Sequence, residues 1–99
     1  MFLSGQLGFD PATGKMVPGG IVEQTTRVLE NMKAVLEASG SSLAKVLRVG
    51  VYLADMNDFA AMNEIYSKYM GDAKPARSAI AVRALPAGAL VEMDAVALV

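Results

Sequence analysis

Residues 45–85 read KVLRVGVYLADMNDFAAMNEIYSKYMGDAKPARSAIAVRAL, and the spacing of their apolar residues changes period twice. From Lys45 to Ala54 the pattern alternates, with Leu47, Val49, Val51 and Leu53 on one face and Val46, Arg48, Gly50 and Tyr52 on the other. Period two predicts a strand with one face in a core. After Asp58 the spacing becomes helical, with Phe59, Met62, Tyr66 and Tyr69 repeating along one side. Asp58 is placed to cap this helix, because a short carboxylate accepts from the exposed backbone N–H groups of a first turn. The helix is expected to end near Met70 and Gly71, and ARSAIAVRAL then returns to β-rich composition. A strand, helix, strand unit with this much chain in its crossover predicts two parallel strands joined in the right-handed sense.

Working outward, MFLSGQ at the start reads as a short strand running into DPATG at Asp10 to Gly14. Pro11 presets φ there and Gly14 tolerates a positive φ, the chemistry of a turn. Between Ile21 and Ala38 the residues Ile21, Val22, Val28, Leu29, Met32, Val35 and Leu36 fall at helical spacing, and Gly40 supplies a stop. LVEMDAVALV closes the chain as a last strand, set off from its predecessor by Pro86 and Gly88. The predicted order is therefore βαβαββ, an α/β sandwich in which both helices cover one face of a mixed sheet. The other face then meets solvent or a partner, and its strand positions carry little charge to make it comfortable in water.

Composition narrows the chemistry. The 99 residues, with nine Lys plus Arg and ten Asp plus Glu, predict one small, nearly neutral domain over residues 1–99. There is no His, Cys or Trp. Zinc fingers, Cys/His nucleophiles, Ser/His/Asp triads, disulfides and iron–sulfur clusters each need an imidazole or a thiolate, so none is available. A net charge of −1 offers no basic footprint for phosphate, which weighs against a dedicated nucleic-acid binder. The 54% apolar share is high for a monomer able to bury only about 60 to 65% of its unfolded surface, so some of it is expected to face another subunit. No apolar run is long enough for a membrane span, since Arg83, Pro86, Glu92 and Asp94 interrupt the richest region. The start lacks a basic segment ahead of an apolar one, so a cytoplasmic location is the expectation.

Few side chains remain as candidates. Arg77, behind Pro75 and Ala76 at the mouth of a strand, could grip a carboxylate with its planar fork or sit in a surface ion pair. Glu92 shares a strand face with Leu90, Asp94, Val96 and Leu98, a setting suited to activating water or moving a proton. The alternative is that Glu92 and Asp94 pair with Arg48 or Arg83 across strands. Asn63 interrupts the second helix between Met62 and Glu64, where an amide can donate and accept in a pocket or simply be solvated. The scattered methionines read as core filling. Gly5 and the pair Gly19 and Gly20 lack the spacing of a phosphate loop, and nothing supports nucleotide binding.

Taken together, SGQ (4–6), DPATG (10–14), EQTTRVLENMKAVLEASGSSL from Glu23, DMNDFAAMNEIY from Asp55, PARS (75–78) and LPAGALVEMDAVA from Leu85 resemble the RidA family, also called YjgF or L-PSP proteins. The resemblance spans essentially the whole chain. It implies a chorismate-mutase-like α/β sandwich assembled as a homotrimer with clefts between subunits. It also implies an activity: hydrolysis of enamine and imine acids released by pyridoxal-phosphate enzymes, such as 2-aminoacrylate and 2-iminobutyrate, to 2-oxo acids and ammonia. No metal or organic cofactor is expected. Carried over by motif, Arg77 of PARS would hold the substrate carboxylate and Glu92 of LVEMD would orient or activate water. Gly5 of SGQ, Phe59 and Asn63 of NDFAAMN, and the backbone of Ala79 would line the same cleft.

The sequence also departs from the family's pattern. Members usually carry a further strand before SGQ, with an aromatic residue that closes the site. Ahead of Met1 the expectation is thus either an open sheet edge or a chain that continues upstream. Ala79 stands where many members have Cys, a mild change if only its backbone meets substrate. From the element order, Arg77 and Glu92 are expected toward opposite ends of the sheet in one chain, meeting only across a subunit interface. Two further readings remain: an endoribonuclease, which the L-PSP name implies for some members, and a non-catalytic trimer that binds a small ligand or acts like a chaperone.

Overall fold

In the computed structural model, which describes residues 1–99, the chain runs β1 (Phe2–Gln6), α1 (Ile21–Ala38), β2 (Val46–Leu53), α2 (Phe59–Met70), β3 (Ala76–Ala81) and β4 (Val91–Ala97). The strands form one sheet in the order β1-β4-β2-β3. β2 and β3 are parallel, as the crossover through α2 requires, while β4 runs antiparallel to both β1 and β2. The α/β class, the element order and the mixed sheet with two helices are those read from the sequence.

Both helices lie on one side of the sheet. α1 buries Val28, Leu29, Met32 and Leu36, and α2 buries Met62, Tyr66 and Met70. They close over Val49, Val51, Leu53, Val91, Met93 and Ala95 in a single apolar cluster. Each fully buried side chain of this kind contributes about 1.5 to 3 kcal/mol, so this layer dominates stability. Met32, Met62, Met70 and Met93 all sit in it, as core filling predicts. Val22 and Val35 do not, because they lie on the flank of α1 that turns away from the sheet.

Local signals held with two corrections. The DPATG turn is closed by Gly14 N–H on the Asp10 carbonyl at 2.7 Å, and Asp10 Oδ1 accepts from Ala12 N–H at 2.8 Å. At the entry to α2 the capping is different: Asp58 occupies the cap position without a side-chain hydrogen bond, and Asp55 Oδ1 accepts from Asn57 N–H at 2.9 Å instead. An extra 3₁₀ turn over Met56–Asp58 displaces the capping carboxylate by three residues. In β2 the strict alternation fails at its first residues. Val46 is buried and Leu47 is half exposed, because a bulge between Val46 and Arg48 shifts the register against β4 and reverses the faces.

The sheet's other face carries no helix. Arg48, Tyr52, Glu92, Asp94, Val96 and Ile80 point to that side, with Phe2 at one border. Phe2 is 87% and Ile80 50% exposed. No helix of the chain is long and apolar enough to cross a membrane.

Candidate active site

Arg77 is the second residue of β3, and its side chain turns toward α2 rather than toward the bare face. Phe59, Asn63 and Tyr66 are spaced four and three apart, so one side of α2 presents all of them to the guanidinium. The guanidinium carbon lies 4.7 Å from the Tyr66 ring centroid and 5.4 Å from that of Phe59. Nη1 donates to Asn63 Oδ1 at 2.6 Å. Stacking of this kind contributes about 0.5 to 2 kcal/mol and fixes the plane of the fork. The hydrogen bond goes to a neutral amide and not to a carboxylate, so the surface ion-pair alternative gives way and the positive charge has no carboxylate partner within the chain. Burial pushes the Tyr66 hydroxyl above its ordinary value, with Arg77 pulling the other way.

Ala79 follows on the same side of β3 and packs against the core. Val82 N–H donates to the Leu53 carbonyl at 2.8 Å, so by strand alternation Ile80 and Ser78 also direct their peptide groups at β2. Arg77, Ala79 and Ala81 therefore turn theirs outward along the sheet edge that β3 forms.

Glu92 and Gly5 form a second group on the bare face. Glu92 sits opposite Tyr52 in the antiparallel ladder, and a Cβ at Gly5 would collide with the Glu92 carboxylate. Gly5 is thus the residue that leaves space for that side chain. Two positions along, Tyr52 donates from its hydroxyl to Asp94 Oδ2 at 3.0 Å above Gly50, where a Cβ would again strike both groups. Asp94 therefore takes its hydrogen bond from a tyrosine and not from Arg48 or Arg83. That hydrogen bond is the main reason the Tyr52 hydroxyl is held above its ordinary value, with burial adding to it.

The six residues singled out from sequence thus separate into Phe59, Asn63, Arg77 and Ala79 on one side and Gly5 and Glu92 on the other. Arg77 is level with Val49 and Glu92 with Tyr52, so they are offset by about 10 Å along the strands at ~3.3 Å per residue. They also differ in face. Val49 faces the helices and Tyr52 faces away, which puts Arg77 and Glu92 on opposite faces. The expectation of opposite ends agrees with this offset, and the opposite faces add to it: the two side chains do not converge within one chain. Sequence reasoning assigned Tyr66 to the helix pattern alone. Its spacing of three from Asn63 was the signal that it shares the face holding Arg77.

The fold and these two side-chain groups define a small α/β sandwich protein with one helix-covered and one bare sheet face. The family described as Endoribonuclease L-PSP matches residues 1–99. A RutC family protein of Pyrococcus abyssi is 56% identical over 97 residues, covering 98% of this chain and 76% of that protein. A protein of Capra hircus named 2-iminobutanoate/2-iminopropanoate deaminase is 46% identical over 97 residues, covering 98% of this chain and 71% of the relative. The crystal structure of RidA from an Antarctic Psychrobacter matches with a TM-score of 0.94 at 42% identity, over 99% of this chain and 79% of the other. The chain belongs to the L-PSP family, also known as RidA or YjgF.

Proposed function

We propose that this single-domain chain hydrolyses small 2-imino acids and their 2-enamino tautomers, 2-aminoacrylate and 2-iminobutyrate among them, to 2-oxo acids and ammonia. The observation that carries this reading is the Arg77 guanidinium, stacked on Tyr66 and bonded to neutral Asn63 with its charge unspent. A planar cation held this way is preorganised for the carboxylate common to all such substrates. The names of several relatives point the same way.

In this reading Arg77 holds the substrate carboxylate and the outward peptide groups at Ala79 border the cleft. Glu92 receives a proton from a water as its oxygen bonds to the imine carbon, and the C=N bond becomes a C–N single bond. Glu92 passes that proton to the nitrogen to give a neutral carbinolamine; the hydroxyl proton then moves to the nitrogen as the C–O bond becomes C=O and the C–N bond breaks, and ammonia leaves a 2-oxo acid. An imine already hydrolyses in water, so placement and a low-dielectric cleft are sufficient contributions. Since Arg77 and Glu92 lie on opposite faces of one sheet, each site takes them from two protomers of a homotrimer, bare faces inward. A cytoplasmic location accompanies this reading, and it calls on no metal, organic cofactor, membrane or nucleic acid.

The test is release of 2-oxo acid from 2-aminoacrylate generated in situ by a serine dehydratase. Arg77→Ala is expected to lower the enzymatic rate about 100-fold, near the upper range for a charge-assisted bidentate contact. Equal activity in Arg77→Ala and wild type would remove the clamp. Mixing inactive Arg77→Ala and Glu92→Gln chains, unfolded and refolded together, is expected to restore part of the activity; no recovery would sink the shared site. The endoribonuclease in the family's description is the second reading. It requires RNA cleavage that weakens steeply with salt.

A further inference from the structure

A cavity of about 390 Å³ opens where the C-terminal half of α2 meets the start of β3. Asn63 and Arg77 form one end of its wall, and Tyr66, Ser67 and Lys74 carry the rest of its polar side chains. No carboxylate lines it. Asn63 spends its oxygen on Arg77, which leaves its amide N–H groups as donors. Ser67 adds a hydroxyl. The wall therefore holds two cations and neutral donors, with nothing of its own charge to balance them.

The Lys74 side chain is exposed where it lines the cavity, and its backbone is fixed. It adopts φ 46°, a left-handed conformation that L side chains enter at a cost, and its N–H donates to the Met70 carbonyl at 3.0 Å. Pro75 follows and restricts it further. A lysine near a helix C-terminus can serve the helix dipole alone, but Lys68 already lies in the last turn of α2. Tyr66 also belongs to this wall, but its hydroxyl is buried with no accessible surface, so the polar groups open to the cavity are those of Asn63, Ser67, Lys74 and Arg77.

We infer that Lys74 is a specificity residue that tunes this site to 2-imino acids bearing a second carboxylate. The inference rests on the imine-hydrolysis reading for its class of ligand and goes beyond it in the side chain selected. Arg77 takes the carboxylate next to the imine. A monocarboxylic substrate leaves the Lys74 ammonium without a counter-charge. A substrate with a distal carboxylate reaches along the cavity and pairs with Lys74 and Ser67.

The test is calorimetric titration with two stable 2-oxo acid probes, 2-oxobutanoate and 2-oxoglutarate, at constant ionic strength. Wild type is expected to bind 2-oxoglutarate about fivefold more tightly, the range of a partly exposed ion pair. Lys74→Gln is expected to abolish that preference while leaving 2-oxobutanoate binding and Tm unchanged, and Lys74→Arg to retain it. Equal affinity of wild type for the two probes, or equal weakening of both by Lys74→Gln, overturns the inference while the deaminase reading survives. If neither probe binds wild type better than Arg77→Ala, the clamp itself is absent and both readings fall. A drop in Tm with Lys74→Gln and no change in preference would leave Lys74 only a helix-end role and also overturns it.

Discussion

The two faces of this sheet come from the same four strands and follow opposite rules. Toward the helices, Val49, Val51 and Leu53 of β2 meet Val91, Met93 and Ala95 of β4, and every one is apolar and buried. On the bare side the intervening residues are Arg48, Gly50 and Tyr52 against Glu92 and Asp94, with apolar Phe2, Val96 and Ile80 around them. Alternation lets one stretch of chain answer two environments at once. The contrast teaches where cost and function separate. Atoms on the covered face are fixed by packing, while the bare face keeps polar groups in the middle of an apolar surround, a pattern suited to a covered and partly dry interior.

The sharpest way to break this contrast is to truncate one residue on each side. Leu29 is fully buried beneath the sheet, and Leu29→Ala is expected to cost about 3 kcal/mol by transfer loss and cavity together. Ile80→Ala, on the bare face, is expected to cost less than about 0.5 kcal/mol in a dissociated chain. Urea denaturation at several protein concentrations reads both. A cost at Ile80 that appears only at high concentration would show that a second copy covers that face.

Gly5→Ala comes next in size. The new methyl group strikes the Glu92 carboxylate and forces it aside, while the backbone at Gly5 has no positive φ to forbid alanine. Activity is expected to fall about tenfold, with stability changed by less than about 1 kcal/mol. An undiminished rate would separate Glu92 from the chemistry. Tyr66→Phe tests the other group. It removes a buried hydroxyl without a partner and keeps the ring under Arg77. Stability is expected to rise by about 1 kcal/mol, because an unsatisfied buried polar group costs that much or more. A loss of stability would show that the hydroxyl has a partner in solution.

Much of this contrast was legible in the sequence because it is written in periods. Period two in Val49, Val51 and Leu53 and helical spacing in Val28, Leu29, Met32 and Leu36 are consequences of backbone geometry, so they survive without any knowledge of contacts. The Val46 and Leu47 reversal was hidden, because a bulge is a property of two paired strands and leaves no mark in one. The displaced cap at Asp55 was hidden for a related reason: a 3₁₀ turn and the first turn of an α-helix ask for the same residues. For the candidate site, Arg77, Glu92, Gly5, Phe59, Asn63 and Ala79 were singled out through motifs. Their division between two faces was not, since it depends on which residue of β3 and of β4 aligns with Val49 and Tyr52.

The smallest expected effect concerns the polar centre of the bare face. Tyr52 donates to Asp94 at 3.0 Å, and this bond with burial holds its hydroxyl above the ordinary 10.0. The folded state thus binds that proton more tightly than the unfolded chain. Its contribution is fully present below pH 10.0 and is lost as pH rises through the folded-state value. Tyr66 and Tyr69 are shifted in the same direction, so alkaline unfolding of wild type sums several groups. Only the difference between wild type and Tyr52→Phe isolates this one. At neutral pH the variant is expected to be about 0.5 kcal/mol less stable, the net worth of one modest hydrogen bond. On the alkaline side the gap is expected to close, as read from Tm along a pH series. A gap that persists there would mean that Tyr52 acts by packing against the surrounding apolar residues, and the bare face would then be held together by the same rule as the covered one.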